Sequence, residues 1–339
     1  MKCINKINKL KKKLAAFCLI AFTILSMTGC GNKVSNPYHV YDSSDEYRLT
    51  SSSSSGSIKG FSTNLALPLN EDSPKEMAPD IGTCAAASVY DVTQNKALYN
   101  YQMLKKVYPA STTKILTAYL AIKYGNPDQE VTVGSDILGL ESGSSLAHLN
   151  PGDVISLQQL LYGLMLPSGN DAAIAIADAV SGSTEKFVEL MNKEANALGA
   201  THSHFVTVNG LHDENHYTTP YDMYLIFSAA CKYDRFVQLI SSTSFNAFYR
   251  NSAGAAVQQT WTNSCRYLKG TRKPPEGITV VGGKTGTTGE AKYCLVLLST
   301  ASNGDQLIST VFGADSAYNL YLDMNEILTA AQNQLIKNS

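Results

Sequence analysis

Strand-forming sequence is concentrated at the two ends of residues 81–339, and helix-forming sequence lies between them. Near the start, CAAASVYDVTQNKALYNY has two β-rich runs around the turn TQNK, the pattern of a hairpin. Near the end, ITVVGGKTG, AKYCLVLLSTA and DQLISTVFGA return to β character, and a last helix follows from about Ser316. Between them, ISLQQLLYGLML, NDAAIAIADAV, STEKFVELMNKEANALGA and TPYDMYLIFSAACKY carry helical spacing, several opening on Ser, Thr or Asn. One sheet must therefore be assembled from both ends of the domain, with helices inserted between. The 44% hydrophobic content of the 339 residues supports a sizeable core. A net charge of −1 and the absence of a basic stripe exclude a nucleic-acid partner.

The first 30 residues are of another kind. MKCINKINKLKKKLAAFCLIAFTILSMTGC has a lysine-rich start, an apolar core from Leu14 to Met27, and then Thr28-Gly29-Cys30. This is the pattern of an export signal over residues 1–29, and a cysteine directly after small residues resembles a bacterial lipobox, in which Cys30 carries lipid. The alternative is an uncleaved membrane anchor, for which the apolar core is short. Both place the protein outside the cytoplasm. Residues 30–80, rich in Ser, Pro and charge, read as a flexible tether, and about 50 such residues span roughly 40 Å as a coil. Cys84, Cys231, Cys265 and Cys294 remain in the folded part. An oxidising location permits three pairings of them, and their spacing is wrong for zinc.

Chemistry is concentrated in three short stretches: Ser111-Thr-Thr-Lys114, Ser168-Gly169-Asn170, and Lys284-Thr285-Gly286. On a helix, Ser111 and Lys114 share a face and can touch. The following run, ILTAYLAI, is apolar nearly all round and marks a buried helix, whose positive end would lie beneath Ser111. The chain holds a second Ser-x-x-Lys, Ser183 to Lys186, but STEKFVELMNKEANALG alternates as a surface helix does, with Ser183 as its N-cap. Taken alone, Ser168 and Asn170 could cap the next helix, and Lys284-Thr285-Gly286 could be an ordinary hairpin. His148, His202, His204, His212 and His216 have no partners at ligand spacing and read as surface or satisfied polar residues.

In order, the three stretches match the penicillin-recognising serine enzymes. The flanks PASTTKILTA, LLYGLMLPSGNDAAIAIA, FVELMNKEANALGATHSHF, NGLHDENHYTTPYDM and GGKTGTTGEAKYCLV resemble the D-alanyl-D-alanine carboxypeptidase family of low-molecular-mass penicillin-binding proteins, from about Ile81 to about residue 330. The resemblance implies an α+β fold of the penicillin-binding-protein and β-lactamase type. Its parts are an antiparallel sheet flanked by helices and an all-helical subdomain inserted over about 125–240, with the active site between. It implies that Ser111 is the nucleophile, that neutral Lys114 takes its proton, and that Ser168 relays a proton to the leaving amine. Asn170 would hold the substrate amide and Lys284 would supply a positive field; beside the resemblance, the Thr285 hydroxyl, helped by Lys284, is our candidate for the substrate carboxylate, and Gly286 suits a strand where another backbone approaches closely. The N–H groups of Ser111 and Thr287 would bind the oxyanion.

The implied partners are peptidoglycan stem peptides, β-lactams as inhibitors, and a membrane through lipid on Cys30; no metal or organic cofactor is implied. A free lysine, with a pKa of about 10.4, is a poor base at pH 7, so the site must lower it, by burial and by the second cation Lys284. Two other functions compete. A β-lactamase needs an acid to activate the deacylating water, and no acidic residue lies between Ala195 and Asn209, where motif order would put one. A lipoprotein that binds cell-wall peptides or β-lactams without turnover is the other, and complete motifs argue against it. The chain departs from relatives in having no arginine after Arg272, which leaves Lys292 as a candidate partner for the carboxylate.

Overall fold

The structure, a computed structural model, describes residues 65–78 and 81–338. The export signal, Cys30 and the tether up to residue 64 lie outside the described residues. Strands β1 (Ala86–Asp91) and β2 (Lys96–Tyr101) form the expected hairpin. Its turn is set by Asp91, whose Oδ1 accepts the backbone N–H of Thr93 and of Gln94, each at 2.9 Å.

The C-terminal strands are β7 (Thr279–Thr288), β8 (Lys292–Thr300) and β9 (Gln306–Ala314). Strand β9 returns to pair with β1, Phe312 opposite Ala86, closing an antiparallel sheet in the order β2-β1-β9-β8-β7. Period-two alternation sorts its side chains between two cores. Leu295, Leu297, Leu307 and Val311 face the last helix, α7 (Ala317–Asn338), which answers with Leu320, Met324, Ile327, Leu328 and Ala331. Val296, Leu298, Ile308 and Phe312 belong to the other core.

That second core holds the remaining helices. Helix α1 (Lys114–Tyr124) is buried at every residue from Lys114 to Ala121, as an apolar run without a polar face demands. Helices α2 (Leu157–Met165), α3 (Asn170–Ser181) and α4 (Thr184–Ala197) follow. Then come α5 (Pro220–Cys231), which lies on β1 and β9, and α6 (Asp234–Ser241). Thr219 caps α5 by accepting the Asp222 N–H at 3.0 Å, with Pro220 in the first turn.

Residues 125–240 are mainly helical, and a second sheet joins their short strands to two that follow. Strands β3 (Glu130–Thr132) and β4 (Val154–Ser156) join β5 (Ser244–Arg250) and β6 (Ala256–Thr262) in a small four-stranded sheet. Three-residue strands are too short to show a period, and only their pairing with each other, and of β4 with β5, defines them. Residues 65–78, placed by composition in the tether, are bound to the domain. The Ala66 N–H donates to the Tyr224 hydroxyl at 2.9 Å, and the Ser73 N–H to the Asn100 carbonyl at 2.7 Å. These are single bonds without a repeating pattern, so nothing periodic announces them. Cys84, Cys231, Cys265 and Cys294 are unpaired thiols.

Candidate active site

Ser111 does not sit inside the α-helix but in a 3-10 turn, Ala110–Thr113, directly before α1. Ala110 has φ of 48°, a left-handed backbone that costs a non-glycine residue of order 1 kcal/mol and is held by the packing around it. That packing comes from two glycines. A Cβ on Gly286 of β7 would lie 2.9 Å from both the Pro109 carbonyl oxygen and the Ser111 nitrogen, and one on Gly210 would lie 1.9 Å from the Ala110 carbonyl oxygen. The Ser111 turn is thus clamped between the strand carrying Lys284-Thr285-Gly286 and the loop NGLHDENHY.

Lys114, fully buried, places its Nζ 2.9 Å from Ser111 Oγ, 2.7 Å from Asn170 Oδ1 and 2.6 Å from the Asn209 carbonyl oxygen. It makes no ion pair among the described residues. Burial, and after it the charge of Lys284, hold its pKa well below the ordinary lysine value. The contacts suit the neutral amine, which has two N–H bonds and one lone pair. Two carbonyl oxygens, which only accept, take the two hydrogens, and the lone pair is left for the Ser111 hydroxyl proton. As an ammonium, Lys114 could not take that proton at all.

Ser168 is the second strained residue, with φ of 65°. It does not cap α3; its Oγ accepts from Lys284 Nζ at 2.9 Å. Lys284 also donates to the Thr285 carbonyl at 2.8 Å and is likewise buried, and burial lowers its pKa to about 7. The three stretches therefore meet through side chains, with Ser111, Lys114 and Asn170 in one group and Ser168 and Lys284 in the other. A cleft of about 270 Å³ opens above them, lined by Ser111, Asn170, Asn209 and Thr287, with Glu141 and Glu290 also in its wall. Thr287 is exposed on β7, and Thr285 is half-buried beside Ser264, their hydroxyls 2.6 Å apart. Lys292 is exposed at the outer end of the β7–β8 hairpin, opposite Thr288.

Ser183 does what a cap does: its Oγ accepts the Lys186 N–H at 3.3 Å, and the Lys186 side chain is exposed. His216 is a satisfied core histidine. Its Nδ1 accepts the Val206 N–H at 3.0 Å, so the ring proton is on Nε2, which donates to Thr113 Oγ1 at 2.7 Å. Burial lowers its pKa to about 4, keeping the ring neutral behind the Ser111 turn. Sequence reasoning did not find Asn209, Gly210 or Ser264. The first two lie in a segment that carried the family resemblance but no motif of its own. Among the described residues no group of three or more His, Cys, Asp or Glu is placed to hold a metal ion, and no helix is long and apolar enough to cross a membrane.

The profile of the D-alanyl-D-alanine carboxypeptidase family of peptidases matches residues 73–316. The chain belongs to that family. It is 34% identical over 245 residues to a D-alanyl-D-alanine carboxypeptidase of Bacillus subtilis, covering 70% of this chain and 59% of the relative. A D-alanyl-D-alanine carboxypeptidase of Streptomyces is 37% identical over 218 residues, 61% of this chain and 72% of that one. The fold is that of penicillin-binding peptidases: the crystal structure of a Streptomyces DD-transpeptidase superposes with a TM-score of 0.68 at 32% identity, covering 74% of this chain and 97% of that one. The chain thus spans less than two thirds of the Bacillus relative and nearly the whole of the solved Streptomyces protein.

Proposed function

We propose that the protein is a serine D-Ala-D-Ala carboxypeptidase that removes the terminal D-alanine from peptidoglycan stem pentapeptides. The observation that carries this reading is the 2.9 Å contact between the Ser111 hydroxyl and a buried Lys114 amine whose other two partners are acceptors. Ser111 Oγ attacks the carbonyl of the penultimate D-alanine while its proton passes to Lys114 Nζ. The oxyanion forms at the N–H groups of Ser111 and Thr287. The C–N bond then breaks, the leaving amine takes a proton through Ser168, and water hydrolyses the Ser111 ester. Asn170 holds the substrate amide, Lys284 and Thr285 meet the terminal carboxylate, and Gly286 keeps the strand close to the nucleophile.

β-Lactams acylate Ser111 by the same route. The acidic residues of the cleft wall, Glu141 and Glu290, make no hydrogen bond to Ser111, Lys114 or Asn170, which disfavours a β-lactamase and leaves a penicilloyl ester long-lived. Transfer to an amine in place of water is a second reading, favoured by the DD-transpeptidase among the structural neighbours. The chain acts outside the cytoplasm, on the cell wall, as a lipoprotein: residues 1–29 direct export and lipid on Cys30 tethers it to the membrane.

The decisive experiment is mass spectrometry of a purified peptide ending in D-Ala-D-Ala after incubation with the protein. Release of one D-alanine, lost in Ser111→Ala, is the expected outcome, and cross-linking to an added amine without release would replace hydrolysis by transfer. Stable penicillin labelling without turnover of the peptide would leave a binding protein, and rapid penicillin hydrolysis a β-lactamase. Expressed in a lipoprotein-processing bacterium, Cys30→Ala should lose lipid and leave the membrane fraction. An unchanged membrane fraction would point to an uncleaved helix.

A further inference from the structure

An exopeptidase must bind the chain-terminal carboxylate, and no arginine follows Arg272 in this chain to do so. Arginine in a bidentate pair is the strongest choice for a carboxylate. The two arginines that follow β6 are held elsewhere: the Arg266 guanidinium lies 5.7 Å over the Tyr321 ring and that of Arg272 lies 4.3 Å over Tyr318, both rings on α7. Lys292 is exposed beyond the hairpin turn. Two residues along β7 from Thr287, which lines the cleft, lies a pair of hydroxyls, Ser264 Oγ and Thr285 Oγ1, 2.6 Å apart.

A pair at that distance shares one proton, and its direction decides what the pair can bind. If Thr285 donates to Ser264, Thr285 turns lone pairs toward an arriving carboxylate and repels it. If Ser264 donates, the Thr285 proton is free for the carboxylate. The backbone that carries Ser264 is held by its neighbour. Asn263, nearly fully buried, accepts the Cys265 N–H on Oδ1 at 2.8 Å and donates Nδ2 to the Ser242 carbonyl at 2.9 Å, while its own N–H donates to the Thr243 carbonyl at 2.9 Å. The turn is therefore rigid, and the serine at its apex lies beside the KTG strand.

Resting on the carboxypeptidase reading above, we infer that Ser264 is a positioning residue for the terminal carboxylate of the substrate. Ser264 donates to Thr285, Thr285 donates to the carboxylate, and Lys284 beneath supplies positive charge, so that two hydroxyls over a buried amine take the place of an arginine.

The test compares Ser264→Ala and Ser264→Thr on two peptides, one ending in free D-Ala-D-Ala and one with its C-terminal carboxylate amidated. Ser264→Ala should raise KM for the free acid about tenfold, the effect of weakening one hydrogen bond to a charged group, with kcat changed by less than about twofold. Its preference for the free acid over the amide should fall by the same factor, and Ser264→Thr, which keeps the hydroxyl, should restore it. If the alanine variant does not fold, Ser264→Cys, a far weaker donor of similar size, takes its place. An unchanged KM, or an equal loss on acid and amide, overturns the assignment. Wild-type protein that releases no D-alanine in the same assay overturns the peptidase reading instead.

Discussion

The chain carries the same four-residue pattern twice. At Ser111-Thr-Thr-Lys114 the amine and hydroxyl are 2.9 Å apart, and the lysine is fully buried with its pKa driven down. At Ser183-Thr-Glu-Lys186 the hydroxyl caps α4 and the lysine is exposed. The spacing is identical, so spacing is not what makes a nucleophile. Three things differ: the first pair opens a helix with no polar face, it is preceded by a strained Ala110, and two remote segments press on it. A lysine with water around it stays charged and cannot accept a proton from serine at neutral pH. Removing that water, and giving two of its hydrogens to Asn170 and Asn209, favours the neutral amine, the form that our proposed mechanism needs as its base.

The largest effect should come from the two serines. Ser111→Ala is expected to abolish labelling by a fluorescent penicillin, while Ser183→Ala labels normally and loses only about 0.5–2 kcal/mol of stability through the missing cap. Denaturant unfolding of the second variant and gel fluorescence of both separate the roles. Labelling that survives in Ser111→Ala would remove the distinction altogether.

The two lysines sharpen the contrast. Lys114→Met should slow acylation by about 10²–10⁴-fold, the usual worth of a general base, and Lys186→Met should leave it within about twofold. The pH profile carries the same information. Acylation should rise as pH climbs past the depressed pKa of Lys114, because only the neutral amine accepts the proton. On the alkaline side, affinity for a carboxylate-ended substrate should weaken as Lys284, with its pKa lowered to about 7, loses its charge. The product is a bell. Acylation in single-turnover kinetics that still climbs toward about pH 10, as for an ordinary lysine, would contradict the burial argument.

A smaller effect distinguishes the glycines beside each pair. Gly286→Ala forces a methyl group to within 2.9 Å of the Ser111 nitrogen, so β7 must move away from the nucleophile and acylation should fall about 10²-fold. Gly182, which ends α3 just before Ser183, has φ of 81° and open space around its Cβ position. Gly182→Ala should cost about 1 kcal/mol of stability from the left-handed backbone and leave acylation unchanged. Equal acylation rates in the two variants would mean that close approach of β7 does not position the nucleophile.

Much of this was legible before any coordinate. The hairpin at TQNK, the three C-terminal strands, the helices between them and the cap at Ser183 follow from periodicity and turn chemistry, which act over a few residues. Strands β5 and β6 were missed although FNAFYR and VQQTWT each place a buried aromatic among exposed alternating positions. Strands β3 and β4, and the attachment of residues 65–78, left no local trace because each depends on a partner far along the chain.

The active site divides along the same line. The sequence by itself determined which residues are candidates for chemistry, because a serine and lysine at helical spacing before an apolar run, and two further polar motifs in order, are local patterns that side-chain chemistry makes rare. Only the tertiary structure decided the protonation of Lys114, the removal of Ser168 from a capping role, and the presence of Asn209, Gly210 and Ser264 beside the nucleophile and the KTG strand. Burial and the number of acceptors around an amine are sums over segments up to about a hundred residues distant: Asn209 is separated by 95 positions from the lysine it binds. No window of sequence contains both, and the energy that sets the proton is shared between them.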